Sequence, residues 1–477
     1  MHTAPRRRFL DPTVRGLFAL CIAFVAGCSS LPTINPDMAP PKAPLQFSAS
    51  NGRMLSQRQS EAIVERLKRD GKGTDILERH LALEEAITDT PLSVGNRVVL
   101  LEDGPATYDA MFAAIRNARD HINMETYILE EDEIGLKFAD ALIEKQRAGV
   151  QVNLIVDSVG TLGTPRAFFT RLREAGIKVL EFNPVNPLYA KAGWNVNQRD
   201  HRKLLVVDGQ VAFLGGINIS SVYSGSSSGR GSGSSGGSRG GSRGSGAKLP
   251  WRDTDLQIDG PVVADFQRLF IQTWERQKGE PLAERNYYPP LARKGNAIVR
   301  AIGSSPSDPF SLIYATFISA IDAAEREVLL TNAYFVPDPQ LRASLIAAVA
   351  RGVDVKLILP SRTDSWLVFH AGRWHYEELL QGGVKIYERR DALLHAKTAV
   401  IDGVWSTVGS TNLDWRSFLH NQELNAVILG ADFGERMRAA FARDLADSHE
   451  ITLDAWRKRS PSVRMKEFIG HMWGYWL

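Results

Sequence analysis

The sequence predicts an α/β protein of two similar lobes, each a mixed β-sheet flanked by helices, with its active site at the lobe interface. Three observations predict this. Apolar strand-like runs alternate with helix-like stretches along most of the chain, the alternation occurs twice in the same order, and each round ends on the same motif. The first copy is His201-Arg202-Lys203-Leu204-Leu205-Val206-Val207-Asp208, then six residues, then Gly215-Gly216-Ile217-Asn218. The second is His395-Ala396-Lys397-Thr398-Ala399-Val400-Ile401-Asp402, then six residues, then Gly409-Ser410-Thr411-Asn412. His, Lys, Asp, Gly and Asn keep one spacing in both.

Residues 1–27 read as an export signal. Arg6-Arg7-Arg8 precedes an apolar run from Gly16 to Ala26, shorter than the ~20 residues that span a bilayer. The run closes on Val25-Ala26-Gly27-Cys28, which resembles a bacterial lipobox. That resemblance implies a lipid-modified Cys28 as the mature N-terminus. Ser29 and Ser30 after it favour the outer membrane, facing the periplasm. With Cys21 inside the signal, no cysteine is left for a disulfide, a zinc site or a thiol nucleophile. Residues 28–95 are expected to form a tether and an N-terminal helical segment: 31–56 are rich in Pro, Ser and Asn, and 57–88 have helical periodicity.

The first lobe is expected over 96–290. Strands are predicted at Val98–Leu101, Asn123–Leu129, Val152–Val156 and Lys178–Phe182, with helices at Tyr108–Asp120, Gly135–Gly149 and Pro165–Gly176. The second lobe, 291–477, repeats the order. Its helices are expected at Ser311–Arg326, Pro339–Gly352 and Trp374–Gly382, with strands at Val328–Ala333, Val355–Leu359 and Lys385–Tyr387. Gly176-Ile177-Lys178-Val179 is echoed by Gly383-Val384-Lys385-Ile386. One segment breaks the pattern. Residues 224–248 are nearly all Ser, Gly and Arg, and predict a disordered insertion without a core. Its Arg230, Arg239 and Arg243 read either as a solvated loop or as a basic flap near anionic lipid.

The formal charge is +3. Residues 1–27 hold four Arg and one Asp, so the remaining chain is balanced. Bulk charge therefore supports no nucleic-acid partner.

The motif suits phosphodiester chemistry. His201 and Lys203, two apart on an extended segment, share a face, and Asp208-Gly209 reads as a hairpin turn. His395, Lys397 and Asp402-Gly403 repeat the arrangement. Lys203 and Lys397 can neutralise non-bridging phosphate oxygens, and Asn218 and Asn412 can donate further hydrogen bonds. One neutral His can attack phosphorus while the other, protonated, donates to the leaving oxygen. The scheme needs no metal and no cofactor.

On these residues the chain resembles the phospholipase D superfamily, whose signature is the paired His-x-Lys-x4-Asp motif. That resemblance implies His201 as nucleophile and His395 as acid, with Lys203, Lys397, Asp208 and Asp402 completing the catalytic set. It also implies an acid behind each His: Asp253 for His201, with Asp255 as fallback, and Glu423 for His395. Within the superfamily, Tyr334-Phe335-Val336-Pro337 and the run from Leu394 to Ser417 resemble bacterial cardiolipin synthases. The implied reaction is phosphatidyl transfer between two phosphatidylglycerol molecules. A hydrolytic phospholipase D, another phosphodiesterase and a non-catalytic lipid-binding lipoprotein are the alternatives. Asp414, Arg416 and Ser417 are expected near the acceptor pocket. The C-terminal Arg457-Lys458-Arg459, Phe468, Trp473, Tyr475 and Trp476 fit either a membrane surface or packing on the second lobe.

Overall fold

The computed structural model describes residues 45–49, 52–71, 90–189, 194–225 and 249–477, with single positions 31, 33, 76, 80, 81, 84 and 88. The export signal with Cys28 and nearly all of the Ser-Gly-Arg insertion lie outside the described residues.

Strand β1 (Phe47–Ser48) pairs with β2 (Leu92–Glu102). The strands that follow in the first half are β3 (His121–Thr126), β4 (Gln151–Asp157), β5 (Lys178–Phe182), β6 (Arg199–Asp200), β7 (Leu204–Val207), β8 (Val211–Gly215), β9 (Trp251–Arg252) and β10 (Thr254–Asp259). They are laid side by side as β5-β4-β3-β7-β8-β10-β2. The second half supplies β11 (Ala297–Ser304), β12 (Glu327–Asn332), β13 (Asp354–Pro360), β14 (Lys385–Arg389), β15 (Leu393–Leu394), β16 (Lys397–Ile401), β17 (Trp405–Gly409), β18 (Asn421–Leu429) and β19 (Ser448–Ile451). Its order, β14-β13-β12-β16-β17-β18-β11, is the same path walked again, with β19 added outside β14. The two lobes of one fold are thus present.

The parallel strands β3 and β4 are buried along their whole length, as strands covered by helices on both faces must be. Matching aspartates start matching helices. Asp132 caps Glu133–Arg147 by accepting from Ile134 N and Gly135 N, and Asp338 caps Pro339–Ala350 by accepting from Gln340 N and Leu341 N. The predicted helix at Trp374–Gly382 is Tyr376–Gln381, and a separate helix, Trp366–Trp374, precedes it. One core joins the lobes. Leu214, Leu256, Phe266 and Phe270 pack with Val299, Val400, Val408 and Leu424. Burying each such side chain contributes about 1.5–3 kcal/mol, so the lobes hold a fixed relation at the site between them.

Asp208 and Asp402 sit in the expected hairpin turns, with φ of 53° and 52°, a left-handed conformation that Asp tolerates. The carboxylates of both are engaged by backbone N–H groups. Asp208 accepts from the backbone N–H of Arg119, Asp120 and His121, at 2.8–3.2 Å. Asp402 accepts from those of Glu325, Arg326 and Glu327, at 2.8–3.0 Å. Each pins the entry to β3 or β12. Each lies seven positions along a largely extended chain from its His, roughly 20 Å at ~3.3 Å per residue. Asp402→Ala is expected to lower the unfolding free energy by about 2–3 kcal/mol while the folded fraction keeps its specific activity. Denaturant unfolding paired with activity per folded molecule checks this.

Candidate active site

Two short parallel ladders exchange segments between the lobes and build the site. β6 pairs with the start of β18, Arg199 opposite Asn421 and Asp200 opposite Gln422. β9 pairs with β15, Trp251 opposite Leu393 and Arg252 opposite Leu394. Each ladder ends on a backbone bond from the motif histidine. His201 N donates to Gln422 O at 3.0 Å, and His395 N donates to Arg252 O at 2.7 Å. One step further along each ladder, a histidine of one lobe meets a carboxylate of the other. His201 Nδ1 lies 3.1 and 3.2 Å from the two Glu423 oxygens. His395 Nδ1 lies 2.7 Å from Asp253 Oδ2.

The expected partners are therefore crossed: Glu423 serves His201 and Asp253 serves His395. Both carboxylates stand at the predicted strand starts, but each His segment pairs with the strand start of the opposite lobe. Asp255 does not reach a histidine. It lies opposite Gly215 in the β8–β10 ladder and accepts from Ile217 N at 3.0 Å. Burial and the neighbouring Asp253 push its carboxyl up to about 8.

The two carboxylates also explain where the motif copies differ, each through a contact within its own lobe. A Cβ on Gly216 would stand 2.2 Å from Asp253 Oδ1, so only glycine fits. Ser410 occupies the same place in the second copy, and its hydroxyl donates to Glu423 Oε2 at 2.5 Å.

The lysines lie beside the histidines and are buried. Lys203 Nζ donates to the His201 carbonyl and sits 5.3 Å from the centre of the Tyr127 ring. Lys397 Nζ donates to the His395 carbonyl and lies 2.9 Å from His395 Nδ1. Burial, opposed by Glu423 and other acids, brings Lys203 down to about 7 and Lys397 down to about 8. Burial, then Lys203, then Lys397 lower His201 to about 4 against the pull of Glu423. Burial and the two lysines hold His395 well below the ordinary imidazole range. Asp253 is raised by burial to about 6. Burial also raises Glu423, but His201, Lys203 and the Ser410 hydroxyl outweigh it and keep the carboxylate ionised. The site thus holds neutral imidazoles, each between a lysine that can pair with a phosphate oxygen and a carboxylate that can pair with the imidazolium.

Asn218 is tied into this frame. Its Oδ1 accepts from Ile128 N at 3.2 Å, and its Nδ2 donates to Tyr223 OH at 3.0 Å. One Nδ2 hydrogen is left for a ligand. Asn412 is buried with its Oδ1 unpaired, and its N–H donates to Ser417 Oγ at 3.3 Å. Asp414 caps the helix Trp415–Leu419 by accepting from Ser417 N at 2.7 Å. Arg416 crosses to Asn197, at 3.2 and 3.1 Å. These contacts show the Asp414-to-Ser417 segment holding the second asparagine loop and the lobe seam.

Four aromatic residues were not anticipated as site residues. Tyr127 packs edge-on to His201, and Tyr223, Trp251 and Tyr334 pack around His395 with ring centres 5.3–6.1 Å away. Tyr223 OH also lies 3.3 Å from His395 Nδ1. Tyr223 and Trp251 flank the Ser-Gly-Arg run, and that placement was the available signal.

Two His–Lys–carboxylate clusters at the seam of a duplicated α/β fold define a phospholipase D-like protein. The family model described as "Cardiolipin synthase, PLD-like domain" matches residues 111–224 and 317–445, and the chain belongs to that family. The cardiolipin synthase of Geobacillus kaustophilus is 33% identical over 394 residues, spanning 82% of this chain and 74% of that protein. The cardiolipin synthase of Alkalihalophilus pseudofirmus is 32% identical over 397 residues, spanning 83% and 74%. Among solved structures, phosphatidylserine synthase from Haemophilus influenzae aligns with a TM-score of 0.58 at 13% identity, over 82% of this chain and 95% of that one. That likeness supports the fold.

Double-mutant cycles on unfolding free energy test the crossing. Coupling is expected at roughly 1–3 kcal/mol for His201 with Glu423 and for His395 with Asp253, and within about 0.5 kcal/mol for the same-lobe pairs.

Proposed function

We propose that the protein is a phosphatidyltransferase that forms cardiolipin and glycerol from two molecules of phosphatidylglycerol. The observation that carries this reading is the pair of buried histidines, each backed by a carboxylate of the opposite lobe and flanked by a lysine. Glu423 engages Nδ1 of His201, which leaves Nε2 as the lone pair that attacks. Lys203 and Lys397 draw the phosphodiester in, and the remaining amide hydrogen of Asn218 orients it.

His201 Nε2 forms the bond to phosphorus, and the bond from phosphorus to the departing glycerol oxygen breaks. His395 supplies the proton that glycerol carries away. A bound phosphate anion offsets the lysine charges that otherwise keep His395 neutral, and Asp253 stabilises the imidazolium. His395, now neutral, then takes the proton from a hydroxyl of the second phosphatidylglycerol. That oxygen attacks phosphorus and releases His201. No water is consumed and the acid is regenerated. Among the described residues no helix is long and apolar enough to cross a membrane. The reading includes lipid anchoring through Cys28 at the outer membrane, on the strength of the lipobox-like Val25-Ala26-Gly27-Cys28.

Purified protein in phosphatidylglycerol vesicles is expected to yield cardiolipin by mass spectrometry. His201→Ala and His395→Ala should each lower the rate by at least about a thousandfold. Phosphatidic acid without cardiolipin would replace the transferase with a hydrolase.

The depressed lysines set an alkaline limit. Both are cationic below their folded values and lose charge as pH rises through about 7 and about 8. A bound anion retains their protons, so the loss belongs to free enzyme. KM should rise about tenfold between pH 7 and pH 8, as Lys203 deprotonates, and up to about a hundredfold per pH unit above pH 8, where both lysines do, while kcat changes little. A KM flat to pH 10 would contradict this.

A further inference from the structure

The C-terminal helix Pro461–Met472 is built inside out. Met465, Phe468, Ile469 and Met472 recur at the i, i+3, i+4, i+7 spacing of an apolar stripe, which ordinarily faces a core. Here the stripe faces outward, with Met465 59% and Met472 58% exposed. The face against the protein carries Glu467 and Gly470 instead. Glu467 is buried, accepts from Arg459 Nε at 2.8 Å and lies 3.7 Å from Arg373 Nε. Gly470 lies against the helix Trp366–Trp374 so closely that a Cβ would stand 2.5 Å from Ala371 N. Ion pairs and close backbone contact thus hold the helix with its apolar side out. Trp473 and Trp476 extend the exposed stripe, and the exposed Lys458, Arg464 and Lys466 border it.

This face adjoins the site. Leu477 O accepts from Arg416 N at 2.8 Å, and Trp415 packs on Tyr475 with ring centres 5.3 Å apart. Arg416 in turn binds Asn197, at the end of the first-lobe loop that carries Leu188, 87% exposed.

We propose that this surface docks the enzyme on an anionic lipid bilayer. The helix lies in the headgroup layer, with its Met, Phe and Trp side chains at the acyl boundary and its basic border on lipid phosphates. Charge decides the occupant. A second copy of the chain would bring one basic border against another, whereas an anionic surface complements it. The inference rests on the reading of the site as acting on phospholipid, and it explains how a buried site meets a substrate held in a membrane.

The test uses the full-length protein and hydrogen–deuterium exchange over residues 461–477. Exchange should slow at least fivefold with phosphatidylglycerol vesicles and stay unchanged with phosphatidylcholine vesicles. The double variant Phe468→Glu/Met472→Glu should lose at least tenfold in rate on phosphatidylglycerol vesicles yet match wild type on monomeric dihexanoyl-phosphatidylglycerol. Trp473→Ala, with a smaller loss in the same direction, serves if the double variant does not fold. Absent protection, or equal losses on vesicles and monomers, overturns the proposal. So does protection that appears without vesicles and grows with protein concentration, which would mark a second copy. Vesicle protection in a protein inactive on both substrates upholds the docking surface and overturns the reading of the site.

Discussion

The exchange of histidine segments between the lobes is the constraint on which the site depends. Neither lobe holds a complete His–carboxylate pair. The pairs exist only because β6 lies along β18 and β15 lies along β9, carrying each histidine to the other lobe's strand start. Chain duplication supplies near-equal halves, and the exchange makes them mutually required. The shared core beneath, from Phe266 and Phe270 to Val408 and Leu424, keeps the two carboxylates at fixed distances from their imidazoles. Arg252 reinforces the seam by reaching Asp444 of the second lobe at 2.9 and 3.0 Å. Such fixed donors and charges stabilise a transition state without reorganising at the moment of reaction.

Burial gives the two halves different electrostatics despite their symmetry. Glu423 has two oxygens near His201 and a hydroxyl from Ser410, and stays ionised. Asp253 is raised to about 6 and shares His395 with Lys397 and Tyr223. One imidazole is thereby oriented by a firm anion, and the other sits in a more proton-responsive and more aromatic setting. The first suits a nucleophile and the second an acid that becomes a base.

Much of this was legible in the sequence. The repeated alternation located the strands and helices of both lobes, and the repeated motif located His201, Lys203, His395 and Lys397. Glu423 and Asp253 were found as residues but assigned to the wrong histidines, because strand pairing between lobes leaves no mark in spacing along one chain. Asp208 and Asp402 are visible in the sequence because they recur with the motif. They recur because each lobe needs the same left-handed turn and the same three backbone donors held. Tyr127, Tyr223, Trp251 and Tyr334 were not assigned to the site, Tyr334 being read only as part of the resemblance, because aromatic residues carry no spacing rule. The inside-out helix was only half legible: its apolar stripe is visible in the sequence, but which side it turns to the protein depends on Glu467 meeting Arg459 and on Gly470 meeting Ala371.

The central claim is that His201, backed from the other lobe by Glu423, carries the phosphatidyl group between donor and acceptor. The most direct measurement is rapid alkaline quench of the enzyme during turnover on phosphatidylglycerol, followed by peptide mass spectrometry. The account predicts a phosphatidyl adduct on the peptide containing His201, accumulating in wild type and lost in Glu423→Gln. An adduct on the His395 peptide, or transfer at full rate with no adduct on either histidine, would contradict it.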